Sequence, residues 1–248
     1  MGLLEEYHDN CALSEGYFSL NLQSVPSIEI EITDVSVMDC EWTCPTLFSV
    51  MEFDDFFKVL CAVIHEKSLI FVSESLDRIS SAVLAVIGLI RPFKWHHLAC
   101  TVLPDSLRDL LDAPVPFIVG TLHCPVQMAK HAVWVNLDDR KVVVGEQSEP
   151  FGGNLKEHLR IYYSVFHRDA SEEEKREAVS MFIKILRGYW TELIDKMPAM
   201  INSRDSEYVT IDSIRRSILE SSRKADYPFM EQLVLTQSFT YIIEEFYS

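Results

Sequence analysis

The stretch RPFKWHHLACTVLPDSL, from Arg91 to Leu107, holds the residues best suited to chemistry: His96 and His97 side by side, and Cys100 three positions on. A thiol beside an imidazole can act as a nucleophile–base pair, and thiolates with imidazoles can hold zinc. The spacing favours neither. Adjacent side chains on a strand point to opposite faces, so at most one of the two histidines joins any one cluster. His65, His123 and His131 are scattered over other segments. The cysteines stand at 11, 40, 44, 61, 100 and 124. Cys61, Cys100 and Cys124 lie in or beside apolar runs, where a free thiol behaves as a small hydrophobe. Cys40 and Cys44 have no second ligand pair at zinc spacing. No metal and no cofactor is expected. A cryptic enzyme using Cys100 or Cys124 with a histidine remains one class of reading.

Other catalytic signatures are missing. There is no Gly-x-Ser-x-Gly elbow, and FGGN (151–154) resembles neither a Walker loop nor a dinucleotide fingerprint. The paired carboxylates Asp54–Asp55, Asp138–Asp139 and Glu244–Glu245 read as helix ends, turns and solvated faces. Arg215 and Arg216 form a locally basic spot, either a solvated face or a docking point for an acidic partner. The sequence thus points to binding rather than bond-making chemistry.

The bulk numbers narrow the partners. With 22 basic and 38 acidic residues the chain carries a net charge of −16. That repels phosphate backbones and anionic lipid, so no nucleic acid and no direct membrane insertion are expected. The longest apolar run, Ala82 to Ile90, is too short to span a bilayer. MGLLEEYHDN is acidic where a secretory signal would be basic, which gives a cytoplasmic expectation with reduced thiols.

The elements that position these residues follow from periodicity. SIEIEI (27–32) alternates like a half-exposed strand, and CPTLF leads into a helix whose apolar face holds Phe53, Phe56, Phe57, Leu60 and Ile64. SLIFVS (68–73) reads as a strand buried on both faces. A deeply buried helix follows from about Asp77 to Ile90, stopped by Pro92. Further strands are expected at Leu98–Leu103, Pro116–Gly120, Val133–Leu137 and Lys141–Gly145, the last two flanking a DDR turn. A short helix, DSLRDLL, lies between the first two. After Asn154 the pattern is helical. Its clearest helix opens on a Ser171/Glu174 capping box and closes at Pro198; two more lie near 212–222 and 228–246. The expected fold is α/β, with a mostly parallel central sheet and flanking helices, followed by an all-helical C-terminal region.

HEKSLIFVS, RPFKWHHLACTVLPDSLRDLLDAPVPFIVG and VWVNLDDRKVVV together resemble the central module of the DENN domain family. PFMEQLVLTQSFTYIIEEF resembles its downstream module, through an L-x-x-T-Q-x-F segment. The resemblance runs from about Pro45 to Phe246. It implies an N-terminal extension over 1–45, a central α/β module over 46–153 and a helical remainder over 154–248. It also implies guanine-nucleotide exchange on a Rab-type small GTPase, reached at endomembranes through partners. A non-exchanging scaffold in a GTPase-regulatory or trafficking complex is the alternative. In this sequence His123 stands three residues after Gly120, where the family commonly has a two-residue spacing. The first forty-odd residues are too few for the family's upstream longin-like module, so either the chain is a fragment of a protein that carries one in cis, or the module is absent or supplied in trans. On this reading Pro92, Trp95, His96, Pro104, Pro114, Pro116 and Gly120 are frame-building residues. Lys94, His97, Asp105, Arg108 and Asp112, with Arg215 and Arg216, are the candidate partner contacts.

Overall fold

The computed structural model describes residues 16–20, 28–32, 35–123, 131–143, 151, 153–195 and 210–247. Its centre is a five-stranded sheet built from β3 (Leu69–Val72), β4 (Leu98–Cys100), β5 (Phe117–Thr121), β6 (Val133–Asn136) and β7 (Lys141–Val143), in the order β4-β5-β3-β6-β7. The first four are parallel, and β7 runs antiparallel to β6. β3 and β5 are buried along their whole length, as their unbroken apolar runs require of strands covered on both faces. Parallel neighbours need crossovers. Helix α3 (Leu76–Leu89) links β3 to β4, and a 3-10 helix (Asp105–Asp112) links β4 to β5. Ser75 caps α3 by accepting the Arg78 N–H.

Among the described residues, two helices precede the sheet, α1 (Val35–Val50) and α2 (Phe53–Ile64). Five described helices follow it: α4 (Asn154–Tyr163), α5 (Glu172–Asp195), α6 (Ile211–Ser221), α7 (Tyr227–Leu233) and α8 (Gln237–Tyr247). The capping box expected at α5 is present: Ser171 N–H donates to Glu174 Oε2 at 2.8 Å, and Glu174 N–H to Ser171 Oγ at 3.2 Å. β1 (Gly16–Leu20) and β2 (Ile28–Ile32) pair antiparallel in a sheet of their own.

A helix runs through the 45/46 boundary: α1 carries Pro45 inside it and buries Cys40, Cys44, Leu47 and Phe48 against α3 and α5. The core is likewise continuous across the 153/154 boundary, from Cys40 to Ile243. Two sequence expectations need correction. The strand expected at Leu98–Leu103 stops at Cys100, after which Leu103 N–H turns to the Gly120 carbonyl at 2.7 Å. The helix expected at 228–246 is two, broken where Thr236 Oγ1 accepts the Phe239 N–H and starts α8 afresh. Cys124, Gly145, Pro198 and most of the 201–210 connection lie outside the described residues.

Gly120 occupies a position with no room for a side chain. A Cβ there would collide with the Thr101 carbonyl oxygen and lie 3.1 Å from Ile79 Cβ. Backbone cannot yield as a flexible side chain can. Gly120→Ala is expected to cost roughly 2–3 kcal/mol, read from the chemical-denaturation midpoint. A midpoint equal to wild type would show that β4 and β5 are farther apart at this point.

Candidate functional site

The segments that carried the resemblance meet at one place, the joint between the α/β layer and the C-terminal helices. Glu66 is its centre. It follows the end of α2 with a positive φ of 54°, which turns its side chain away from the helix it terminates. Its carboxylate sits at the N-terminus of α8, accepting the Gln237 and Ser238 N–H groups at 2.8 Å each and the Ser238 hydroxyl at 2.6 Å. His97 Nε2 lies 3.3 Å away. Thr236 caps one α8 amide and Glu66 takes two more, so three of the orphan donors of that helix end are satisfied. Burial alone would raise the Glu66 carboxyl. The hydrogen bonds from Ser238 and Gln237, with the His97 ring close by, outweigh it and hold the group below its ordinary value.

The neighbouring His65 is the second fastening. It is buried, its ring is 4.4 Å from that of Phe229, and its Nε2 is 3.1 Å from the Phe229 carbonyl, which can only accept. Nε2 therefore carries the proton. Burial pushes the imidazole down from 6.5 to about 4, the bond to Phe229 notwithstanding. The unfolded chain then binds more protons than the folded one between those values, and stability falls as pH drops from 6.5 towards 4. The expected loss is about 3 kcal/mol over that window. Denaturation across pH 4–7 checks it, with His65→Gln flattening the slope; an unchanged slope would remove His65 as its source.

The PFKWHH stretch closes the same joint from the sheet side. Arg91–Pro92 is a cis peptide, and Phe93 is buried edge-on against Trp190 at 5.2 Å. The Lys94 carbonyl oxygen also lies 2.6 Å from Ser238 Oγ, sharing that hydroxyl's one proton with Glu66, and Lys94 Nζ lies 2.9 Å from Glu245. Trp95 Nε1 donates to the Leu98 carbonyl at 3.1 Å, which sets the entrance to β4. The two histidines diverge, as adjacent side chains should. The His96 ring lies 4.1 Å from Tyr241, whereas His97 faces Glu66 and the Trp95 edge. Pro104 precedes the 3-10 helix in extended backbone, while Pro114 and Pro116 lie between it and β5.

The candidate contact residues fall into three places. Lys94 and His97 belong to the joint. Asp105 and Arg108 form an exposed pair on the 3-10 helix at 2.7 Å, with Asp112 exposed at its far end. Arg215 is half-buried, bonded to Asp212 and to Thr240 Oγ1 of α8, while Arg216 beside it is exposed. Glu66 and Ser238, the centre of the joint, were not among the residues singled out from the sequence. The one available signal was that HEK and TQS lie inside two of the segments that carried the resemblance.

The carboxyl ends of β3, β5 and β6 open on a cavity of about 740 Å3, where an open α/β sheet ordinarily binds a ligand. Several of its polar groups bond to one another. Asp138 accepts from Glu74 N–H and Ser73 Oγ at 2.8 Å and from Arg78 at 2.7 Å, and those bonds, the Glu74 amide first, hold its carboxyl low. Asn136 Oδ1 accepts the Asp138 and Asp139 amides of the turn into β7. Among the described residues no three His, Cys, Asp or Glu side chains come together as metal ligands. Among the described residues, the thiols of Cys44, Cys61 and Cys100 are poorly placed for attack. Burial raises Cys44 well above its ordinary value and pushes Cys61 up to about 12, and Cys100 donates to the Val102 carbonyl.

Comparison with known proteins agrees with this architecture. Residues 26–140 match the DENN (AEX-3) domain, beginning upstream of Pro45 and so taking in α1. DENN domain-containing protein 2A of Mus musculus is 32% identical over 224 residues, covering 81% of this chain and 22% of that protein. DENN domain-containing protein 2B of Homo sapiens is 31% identical over 102 residues, 39% of this chain and 9% of the relative. Myotubularin-related protein 5 of Caenorhabditis elegans is 29% identical over 123 residues, 49% of this chain and 7% of the relative. The chain spans less than a quarter of the length of each of these three relatives. It belongs to the DENN domain family, with its DENN domain over residues 26–140.

Proposed function

We propose that this chain is a regulator of a Rab-family small GTPase, promoting GDP release by binding the nucleotide-free form, as one part of a larger DENN assembly. Membership of the DENN family is the observation that carries this reading. The site chemistry is compatible with it, because exchange needs no acid, base or metal from the factor. It needs contacts that are stronger with the emptied GTPase than with the loaded one. Linkage then weakens nucleotide binding by the same factor. A 10,000-fold faster release corresponds to about 5.5 kcal/mol, which a protein interface on the order of 1,600 Å² can supply.

The partners on this reading are the GTPase and a longin-like module in cis or in trans, in the cytoplasm and at endomembranes through those partners. The family's GTPase surface is shared between the longin-like and central modules, so these 248 residues hold part of it. Release of labelled GDP from a panel of Rab proteins tests the proposal. The chain alone is expected to stimulate weakly or not at all, and together with a longin-like module to stimulate at least one Rab strongly. No stimulation of any Rab by the combination would favour a scaffold that does not exchange.

A further inference from the structure

The two faces of the sheet are covered unequally. On one, Leu69, Phe71, Ile118, Val133 and Val135 pack into the large core shared with the helices. On the other, Ile70, Val72, Phe117, Val119 and Trp134 form a small cluster with Leu103, Leu111 and Ala132. Among the described residues this second face is roofed by the 3-10 helix Asp105–Asp112 and its flanking loops, with no α-helix contributing to the cluster. A mostly parallel sheet ordinarily has helices on both faces. Strand β4 and the β4–β5 crossover also turn large apolar side chains outward: Leu98 at the start of β4 is 38% exposed, and in the crossover Leu107 is 47%, Leu110 37% and Val115 53%. Apolar side chains exposed in a group, rather than singly, mark a contact surface.

The charges around them select what fits. Asp105, Asp109 and Asp112 stand on the same 3-10 helix, and Arg108 neutralises only the first. Asp109 and Asp112 are exposed. We infer that this crossover is the part of the GTPase-binding surface held by the present chain, and that the GTPase meets it with apolar residues bordered by Lys or Arg. The inference rests on the function proposed above. The apolar side chains supply the contact that excludes water, and the rim carboxylates attract the basic border and set the approach.

The affinity of the full 248-residue chain for nucleotide-free Rab proteins, measured across a panel at two salt concentrations, is the test. For the Rab that binds, the triple variant Leu107→Ser, Leu110→Ser, Val115→Ser is expected to weaken binding at least tenfold. Asp109→Lys with Asp112→Lys is expected to weaken it severalfold and to flatten its salt dependence. Ile161→Ser, on α4 and 62% exposed, serves as the control and is expected to bind as wild type does. Thermal melts coincident with wild type show that the variants fold. If wild type binds and both crossover variants bind equally well, this surface is overturned and the GTPase reading stands. If wild type binds no Rab in the panel, both are overturned.

Discussion

Phe48→Ala lowers the stability of the chain by about 4 kcal/mol, the upper part of the range for truncating a fully buried aromatic. The size of the effect follows from where Phe48 sits. Its side chain is wholly buried, and its ring centre lies within 5.3 Å of four others: Tyr163 at 4.6 Å, Phe182 at 5.0 Å, Phe56 at 5.1 Å and Phe166 at 5.3 Å. Those rings come from α2, α4, α5 and the short turn after α4. Truncation opens a void that four separate elements would have to close together, and well-packed cores relax only partly. The melting temperature should fall by roughly 10 °C for a chain of this size. A fall of a degree or two would mean that α1 lies on the core rather than in it.

The second large effect is at the joint. Glu66→Ala leaves two α8 amides, the Ser238 hydroxyl and His97 facing a void. Breaking a largely buried, multiply bonded carboxylate is expected to cost about 4 kcal/mol. Glu66→Gln keeps acceptor oxygen but loses the charge facing the helix N-terminus and His97, so its cost should be roughly half. The loss is local in origin, and limited proteolysis should cut α8 in Glu66→Ala at protease levels that leave the wild-type chain intact. The carboxyl is held below 4.5, so its contribution is complete above that pH and fades as pH falls through the folded value. The gap between each variant and wild type should therefore narrow as pH falls through that value, without closing for Glu66→Ala. Equal stability of Glu66→Ala and wild type at neutral pH would show that α8 is held by its apolar face alone.

The sheet and the long helices were legible from the sequence because their signals are local. LIFV and FIVGT are unbroken apolar runs, the stripe of Val179, Phe182, Ile183 and Leu186 repeats at helical spacing, and Ser171 with Glu174 announces a start. Helix α1 was not, for a physical reason. VSVMDCEWTCPTLFSV places a proline and several β-branched residues in a helix, and its apolar residues do not collect on one side. Tertiary packing decides it, with Cys40 and Cys44 one turn apart facing the core while Trp42 is left 86% exposed. The break at Thr236 was hidden for the opposite reason: the apolar pattern carries on through it, and only the side-chain cap interrupts the helix.

The joint was half legible. Its segments were recognisable one by one, and the divergence of His96 and His97 follows from backbone geometry. What local sequence could not show is that Glu66 and Ser238, 172 residues apart, are partners. The same limit applies to the crossover. DSLRDLL reads as a short helix, but that Leu111 turns inward while Leu107 and Leu110 turn outward depends on a kink at Leu107 and on the sheet beneath.

On the proposed reading, the histidines, the tryptophan and the prolines of the central stretch build the frame, and the activity lies in what the frame grips. The proposed function is tested most directly by the affinity of this chain for Rab proteins in two states, nucleotide-free and GDP-loaded, under the same conditions. The account predicts tighter binding to the empty form by at least about tenfold, with GDP affinity lowered by the same factor when the chain is present. Equal affinity for the two forms would contradict it.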